Sequence, residues 1–433
     1  MTFQIPKGLF DVLPYGTNEL WQLTPYWQYV EATIQKITLD YGFKELRTPI
    51  FESLELFVRG AGEGSDLVVK KEMYNFKDKA DRNLVLRPEG TASLLRAFIG
   101  NRLNMVSMPY KIYYVGPMFR YDRPQAGRYR QHHQFGVEIL GEDSYEQDVE
   151  VIDLLCEFLK RLGLKEFVVN INTVGDQASR LNYQKAIQTF LKPSFDQLSE
   201  DSKTRFKNNP LRILDSKDKK DKELIQNAPK IREFLTPEAE KHFDNVLKLL
   251  KAFKIPYAID DKLVRGLDYY NHTVFEVVST LKIAQNSLGG GGRYNGMVKD
   301  LGGPDLAGVG FGVGLERVIQ TLIAQKVSVP DLSVPFVYFI PLGEKAKQLA
   351  FNLVTELRHK NVPTDCSLTS KKIDKALKIA NNLKVPYAVI IGEDELKKES
   401  AQVKDMQKRE SDFVPFKELI AHLQKLFNKR SDK

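Results

Sequence analysis

Cysteine is nearly absent. Cys156 and Cys366 are the only two in 433 residues. They lie far apart, form no metal-ligand spacing and offer no disulfide framework, so a reducing compartment suits the chain. No apolar run reaches the roughly 18 to 20 residues that a membrane span needs. The opening stretch MTFQIPKGLF lacks a basic segment followed by a long apolar one, so no secretory signal is expected. Cytoplasmic residence without a membrane partner is the resulting expectation. Two phosphate-binding devices are also missing: no GxxxxGK(S/T) loop occurs, and no GxGxxG opens a helix. Any nucleotide held by this chain must be held in another way. No internal repeat or low-complexity tract stands out.

What remains is an ordinary globular composition, 42% apolar and 28% charged. The length suggests about three domains. Net charge is +8, unevenly placed. Residues 331–433 hold 19 Lys/Arg against 14 Asp/Glu, and residues 201–254 hold 14 against 9. Solvated helix faces explain such an excess, and so does a polyanionic partner touching both segments.

Hydrophobic periodicity organises the chain. TPYWQYVEATIQKITLDYG carries Trp27, Val30, Ile34, Ile37 and Tyr41 at helical spacing, with Gly42 placed to end the helix. FKELRTPIFE follows as a short strand broken at Pro49. YKIYYVGPMFR and YRQHHQFGVEILG read as a long antiparallel hairpin around an Arg-rich connection. EQDVEVIDLLCEFLKRLGL reads as an amphipathic helix and FVVNINTVG as a strand. From about 176 to 254 the pattern is helical and basic, as in an insertion between two parts of one sheet. The stretch LVRGLDYYNHTVFEV, 263–277, reads as extended chain, yet it holds Arg265, Asp268 and Glu276 among apolar residues. After KVSVPDLSVP, strand and helix alternate, which implies a small α/β domain with parallel strands.

Three stretches break the rules of a plain scaffold. FRYDRPQAGRYRQ holds Arg120, Arg123, Arg128 and Arg130, either a solvated loop or a guanidinium grip on phosphate. On the strand that follows, alternation puts Arg130, His132, Gln134, Gly136 and Glu138 on one face, with space at Gly136. His133, Phe135, Val137 and Ile139 take the other face. The adjacent histidines point apart and make poor joint metal ligands. AGVGFGVGLERVI repeats glycine at 308, 310, 312 and 314, a strand face on which a flat ligand could lie, with Arg317 in the first turn of the next helix. The run Gly289 to Gly292 is weaker evidence, since such runs are commonly loops.

In order, these elements resemble class II aminoacyl-tRNA synthetases. YGFKELRTPIFE is similar to motif 1, the dimer-interface element. Phe119-Arg120, the Arg-rich loop and the returning strand are similar to motif 2, and the Gly-rich strand into GLER to motif 3. Within that class, LVRGLDYYNHTVFEV and VLRPEGTA (85–92) resemble segments peculiar to histidyl-tRNA synthetases. The resemblance runs from about Pro6 to the C-terminal helix.

The resemblance implies an α/β protein. An α+β catalytic domain with an antiparallel sheet flanked by helices would occupy 1–325, with the helical insertion inside it. A linker would follow at 326–334, then an anticodon-binding α/β domain with a mostly parallel sheet at 335–433. It implies an enzyme that uses ATP with Mg2+, L-histidine and tRNA(His), and that forms a homodimer. Arg265 and Arg120 would hold the α-phosphate, and Arg128, Gly310, Gly312 and Arg317 would complete the ATP site, with no metal ligand assigned to side chains. Glu89, Gly90, Thr91, Gln134, Glu138, Tyr269, Tyr270 and Tyr294 would bind histidine, with Glu138 and Tyr270 on the imidazole. Asp122 and Asn295 depart from the family's more usual Glu and Asp. The alternative is a synthetase-like regulatory subunit of histidine biosynthesis that binds histidine without charging tRNA. Such relatives typically lack the C-terminal domain and lose catalytic arginines.

Overall fold

A computed structural model describes residues 3–62, 65, 72–106, 108–122, 127–281, 286–331, 333–368 and 372–431. Arg123 of the Arg-rich loop lies outside them. The chain forms two compact units, Met1–Pro330 and Asp331–Lys433.

In chain order the first unit's strands are β1 (Lys44–Glu45), β2 (Phe51–Ser53), β3 (Asn75–Lys77), β4 (Asn83–Leu86), β5 (Tyr110–Phe119), β6 (Gln131–Leu140), β7 (Phe167–Thr173), β8 (Tyr257–Ile259), β9 (Asn271–Ser279), β10 (Ser287–Arg293) and β11 (Gly308–Gly314). Eight of them make one sheet in the order β1-β5-β6-β11-β10-β9-β7-β8. Its neighbours are antiparallel except at the edges, where β1 runs parallel to β5 and β8 parallel to β7. A small sheet, β2-β4-β3, stands apart.

Alternation along β6 and β11 works as the pattern predicts. Phe135, Val137 and Ile139 join Val309, Phe311 and Val313 in the main core. Helices Thr24–Asp40 and Tyr145–Arg161 cover that face, bringing in Trp27, Val30, Ile34, Ile37, Leu155 and Phe158. The opposite face of the sheet is left for the cleft.

Three local expectations change. The glycines 289–292 form most of β10, at the centre of the sheet and not in a loop. A Cβ on Gly291 would fall 1.9 Å from the Gly310 carbonyl, so close strand packing, not flexibility, explains the glycine there. The stretch 263–277 is only half strand: β9 begins at Asn271, and Leu263 to Tyr270 belong to no helix or strand. Finally, the helical insertion ends sooner than its composition suggests. Its last helix, Pro237–Ala252, places Phe243, Val246 and Leu250 in the main core.

The rest of the insertion packs into a second cluster, including Tyr183, Ile187, Leu191, Ile213 and Ile231, which also takes in Leu263, Val264 and Val274. The basic tract DSKDKKDKE is organised around buried Asp221. Asp221 accepts the hydroxyls of Ser199, Ser202 and Ser216, each at 2.6 Å, and the Ser199 N–H at 2.9 Å. Burial would raise its carboxyl, but these donors outweigh burial and hold it low.

The second unit adds β12 (Val337–Pro341), β13 (Thr364–Cys366), β14 (Tyr387–Ile391), β15 (Ser400–Asp405) and β16 (Ser411–Pro415), ordered β13-β12-β14-β15-β16. The first three are parallel, as the alternation implies. β15 and β16 add an antiparallel edge. Val337 and Phe339 pack on one face and Tyr338 and Ile340 on the other, so helices cover both sides. Among the described residues no helix is long and apolar enough to cross a membrane.

Candidate active site

The cleft lies on the face of the large sheet opposite the main core. Two adjoining cavities share Arg120, Arg265, Leu267, Gly290 and Gly312. The inner one, about 170 Å³, is lined by Glu89, Thr91, Gln134, Glu138, Tyr269, Tyr270, Tyr294 and Gly310. The outer one, about 790 Å³, is lined by Arg128, His132, Gly289, Gly314, Glu316 and Arg317, and by insertion residues that include Arg205, Arg212, Asp215 and Lys217.

Glu138 forms the floor of the inner cavity. Its Oε1 accepts the Thr91 hydroxyl at 2.7 Å and its Oε2 accepts the Tyr294 hydroxyl at 2.6 Å. Burial pushes its carboxyl up to about 8, against the lowering effect of those two hydroxyls; Glu89 nearby adds to the rise. Glu89 is buried too and spans the start of helix Thr91–Gly100, accepting the N–H groups of Thr91 at 2.6 Å and Ala92 at 2.8 Å. Burial raises its carboxyl, with those N–H groups and Arg120 opposing. Gln134 presents a buried Oε1 that has no hydrogen-bond partner. An unpaired buried acceptor costs about 1–3 kcal/mol, so the inner cavity favours a ligand that brings a donor.

The tyrosines form one cluster. The Tyr269 and Tyr270 rings lie 4.5 Å apart, and Tyr269 meets Tyr294 edge-on at 5.7 Å. Burial raises all three phenols, keeping them neutral donors. Tyr294 is set by its neighbours in sequence. Arg293, fully buried, donates to Asp148 of helix Tyr145–Arg161 and to Asp143 at 2.9 Å. Asn295 holds Asp143 at 2.9 Å and exchanges bonds with Asn271 at 2.7 and 3.0 Å, tying the Tyr294 turn to Tyr270.

Glycines of β11 line the two cavities and also make room for neighbouring side chains. Gly310 pairs with Glu138 across the sheet. A Cβ there would fall 1.8 Å from Glu138 Oε2, and one on Gly312 would fall 2.1 Å from Gln134 Nε2. These glycines make room for neighbouring side chains; only Gly314 leaves open space. Gly136 likewise does not leave an empty gap, since the Tyr114 ring lies over it and over Gly90. Gly90 does not line the inner cavity.

The arginines converge as the sequence pattern suggests. Arg120 Nε donates to the Pro88 carbonyl at 2.9 Å, and Arg317 Nε donates to the Gly127 carbonyl at 3.0 Å. Arg128 pairs with Asp122 at 2.9 Å, which gives that shorter acid a role in setting the loop. Arg265 donates to Glu276 of β9 at 3.3 Å, and its buried Nε has no partner. Burial lowers its guanidinium, but Glu276 and the tyrosines outweigh burial and raise it. Burial, with Arg128 and Arg120 close by, lowers Arg317, an anion-seeking arrangement. His132 is held neutral, pushed down to about 3 by burial and Arg120.

Sequence reasoning missed Glu276 as the partner of Arg265, and it missed the insertion residues on the outer cavity. Glu276 was visible as a charge in an apolar strand. Arg212 gave no such signal, because only tertiary folding brings it beside Gly266.

An arginine-lined cavity of about 790 Å³ on an antiparallel sheet, opening into a small polar pocket, is the arrangement expected of a class II aminoacyl-tRNA synthetase. Residues 24–318 match the family model described as histidyl-tRNA synthetase, and residues 337–426 match one described as an anticodon binding domain. The chain belongs to the histidyl-tRNA synthetase family. It is 50% identical over 406 residues to a histidine–tRNA ligase of Protochlamydia amoebophila, covering 94% of this chain and 96% of that one. A histidine–tRNA ligase of Levilactobacillus brevis is 46% identical over 429 residues, 98% of each chain. The apo S. aureus histidyl-tRNA synthetase crystal structure superposes with a TM-score of 0.81 at 34% identity, covering 98% of this chain and 100% of that one.

Proposed function

We propose that this chain activates L-histidine with ATP and transfers it to tRNA(His). In the first step a carboxylate oxygen of histidine attacks the α-phosphorus. The new P–O bond forms as the bond to the β-phosphate bridging oxygen breaks, giving histidyl-adenylate and pyrophosphate. In the second, a ribose hydroxyl at the tRNA 3′ end attacks the acyl carbon and AMP leaves. The observation that carries this reading is the inner cavity, where Glu138, Gln134 and three tyrosines offer complementary partners to a small ligand with an N–H, a ring acceptor and an ammonium.

Glu138 accepts from the imidazole N–H and Tyr270 donates to its other nitrogen. The unpartnered Gln134 Oε1, with Glu89 and Thr91, takes the α-ammonium. Arg120 and Arg265, shared by both cavities, hold the α-phosphate where negative charge builds as the carboxylate attacks. Arg317 sits farther out for the γ-phosphate. Mg2+ bound to ATP would supply charge neutralisation on the phosphates. The regulatory-subunit alternative is not favoured, because Arg120, Arg265 and Arg317 all line the cleft and the anticodon-binding match is present.

The partner in solution is a second copy, through motif 1 and the Thr24–Asp40 helix. Exposed Leu39, Ile50 and Phe51 lie in those segments, and light scattering that gives a monomer at micromolar concentration would reject the dimer. The decisive test of function is ATP–pyrophosphate exchange with each of the twenty amino acids. Histidine alone should support it, and exchange with another amino acid would overturn the specificity.

A further inference from the structure

The segment from Leu263 to Tyr270 carries Arg265, Tyr269 and Tyr270, three residues of the cleft, yet it lies in no strand. Its buried polar groups must find partners outside the sheet ladders. Asn172 of β7 donates to the Leu263 carbonyl at 3.1 Å, and two side chains of the helical insertion supply partners at the other end. Arg180, on helix Gln177–Leu191, donates through Nη1 to the Asp268 carbonyl at 2.7 Å and to the Tyr270 carbonyl at 3.3 Å. Those carbonyls flank Tyr269, so one guanidinium fixes the peptide on either side of it. Asn209, buried at the end of the next helix, donates to the Asp268 carboxylate.

The clamp is itself anchored. Asp176 caps the Arg180 helix, accepting the Ser179 N–H at 2.8 Å and the Thr236 hydroxyl at 2.6 Å. Gly62, with φ at +84°, leaves just enough room for Asp268 on the other side, since a Cβ there would fall 2.9 Å from the Asp268 Cβ. Burial lowers the Arg180 guanidinium, with Asp268 opposing. A guanidinium in such surroundings serves the segment it grips.

We propose that Arg180, seconded by Asn209, is a positioning residue for histidine activation: the insertion sets the placement of Arg265 and the paired tyrosines through these contacts. Neither side chain lines the inner or outer cavity, so neither touches substrate. The inference rests on reading the cleft as the histidine-activating site. A shift of about 1 Å in a reacting group costs on the order of 100-fold in rate, so a loosened segment should lower turnover.

The test is ATP–pyrophosphate exchange on the full chain for wild type, Arg180→Ala, Arg180→Lys and Asn209→Ala, with thermal unfolding followed by circular dichroism. In Arg180→Ala the kcat should fall on the order of 100-fold, with KM for ATP little changed and KM for histidine raised. Guanidinium ion added to that variant should restore part of the rate, Arg180→Lys should retain more than Arg180→Ala, and Asn209→Ala should show a smaller fall of the same kind. Wild-type kcat in folded Arg180→Ala overturns the proposal. So does a loss that guanidinium leaves unchanged and Asn209→Ala does not share. If Arg180→Ala does not fold, Asn209→Ala decides, and an unaltered kcat there overturns the proposal. Absence of histidine-dependent exchange in wild type would instead reject the reading of the cleft.

Discussion

Tyr294 donates its hydroxyl to Glu138 Oε2 at 2.6 Å, joining residues 156 positions apart beneath the inner cavity. Thr91 holds the other carboxylate oxygen at 2.7 Å. Both bonds orient the acid from below and leave its remaining lone pairs for a ligand. The acid is therefore already oriented before any ligand arrives.

Glu138→Gln keeps the shape and removes the carboxylate. A hydrogen bond to a charged group contributes about 1.5–3 kcal/mol, so calorimetry at about pH 9, above the raised carboxyl pKa, should show weaker histidine binding with ATP binding nearly unchanged. Equal histidine affinity in both forms would give Glu138 a structural role only. The same substitution tests the proton. In the folded protein burial raises the carboxyl to about 8 from an ordinary 4.5. Its stabilising contribution is present in full below the unfolded pKa and is lost as pH rises through the folded one. The ligand-free protein should thus melt lower at about pH 9 than at about pH 6, and Glu138→Gln should flatten that difference. Parallel curves for the two proteins would refute the raised pKa.

Arg265→Ala should leave the fold intact, because among the described residues its side chain makes a single hydrogen bond, 3.3 Å to Glu276. Adenylate formation should slow by roughly 100-fold or more, the usual loss for one charge-stabilising donor. Histidine affinity should change little. Near wild-type pyrophosphate exchange in the pure variant would remove Arg265 from the chemistry.

Gly310→Ala tests why β11 is glycine-rich. The new Cβ would fall 1.8 Å from Glu138 Oε2 and 2.3 Å from the Val137 carbonyl, and the carbonyl cannot swing away. Overpacking of this kind costs about 1–3 kcal/mol. The variant should melt lower and bind histidine more weakly. Gly100→Ala, where an added Cβ meets nothing within 4 Å, is the control. If Gly310→Ala binds histidine as tightly as that control, the glycine face has another purpose.

A chain ending near Lys326 should keep histidine-dependent exchange. Glu89, Arg120, Gln134, Glu138, Arg265 and Arg317 all precede it, and the second unit has its own core. Transfer to tRNA should fall much further. Each lost phosphate contact should remove about 0.7–0.9 from the log–log salt slope of tRNA binding. Equal charging and an unchanged slope would mean that the tail, despite its match to an anticodon binding domain, does not bind tRNA.

The residues alone determined a good deal. Period-two alternation on β6 and β11 separated the packed faces from the cleft faces, because a strand must send successive side chains to opposite sides. The ordered motifs, with Arg120, Arg265 and Arg317 in fixed succession, pointed to the family before any fold was known. Other features depended on long-range packing. Glycines 289–292 read as a loop because composition cannot tell a flexible glycine from one crowded by two neighbouring strands. Leu263 to Tyr270 read as strand because propensity does not register distant partners such as Arg180, which takes the Asp268 and Tyr270 carbonyls outside the ladders. The partnerships of Glu138 with Thr91 and Tyr294, and of Arg180 with the carbonyls on either side of Tyr269, join residues 47, 156 and 88 to 90 positions apart. No local pattern encodes such distances; they arise when burial forces each polar group to find whatever partner the fold brings within reach.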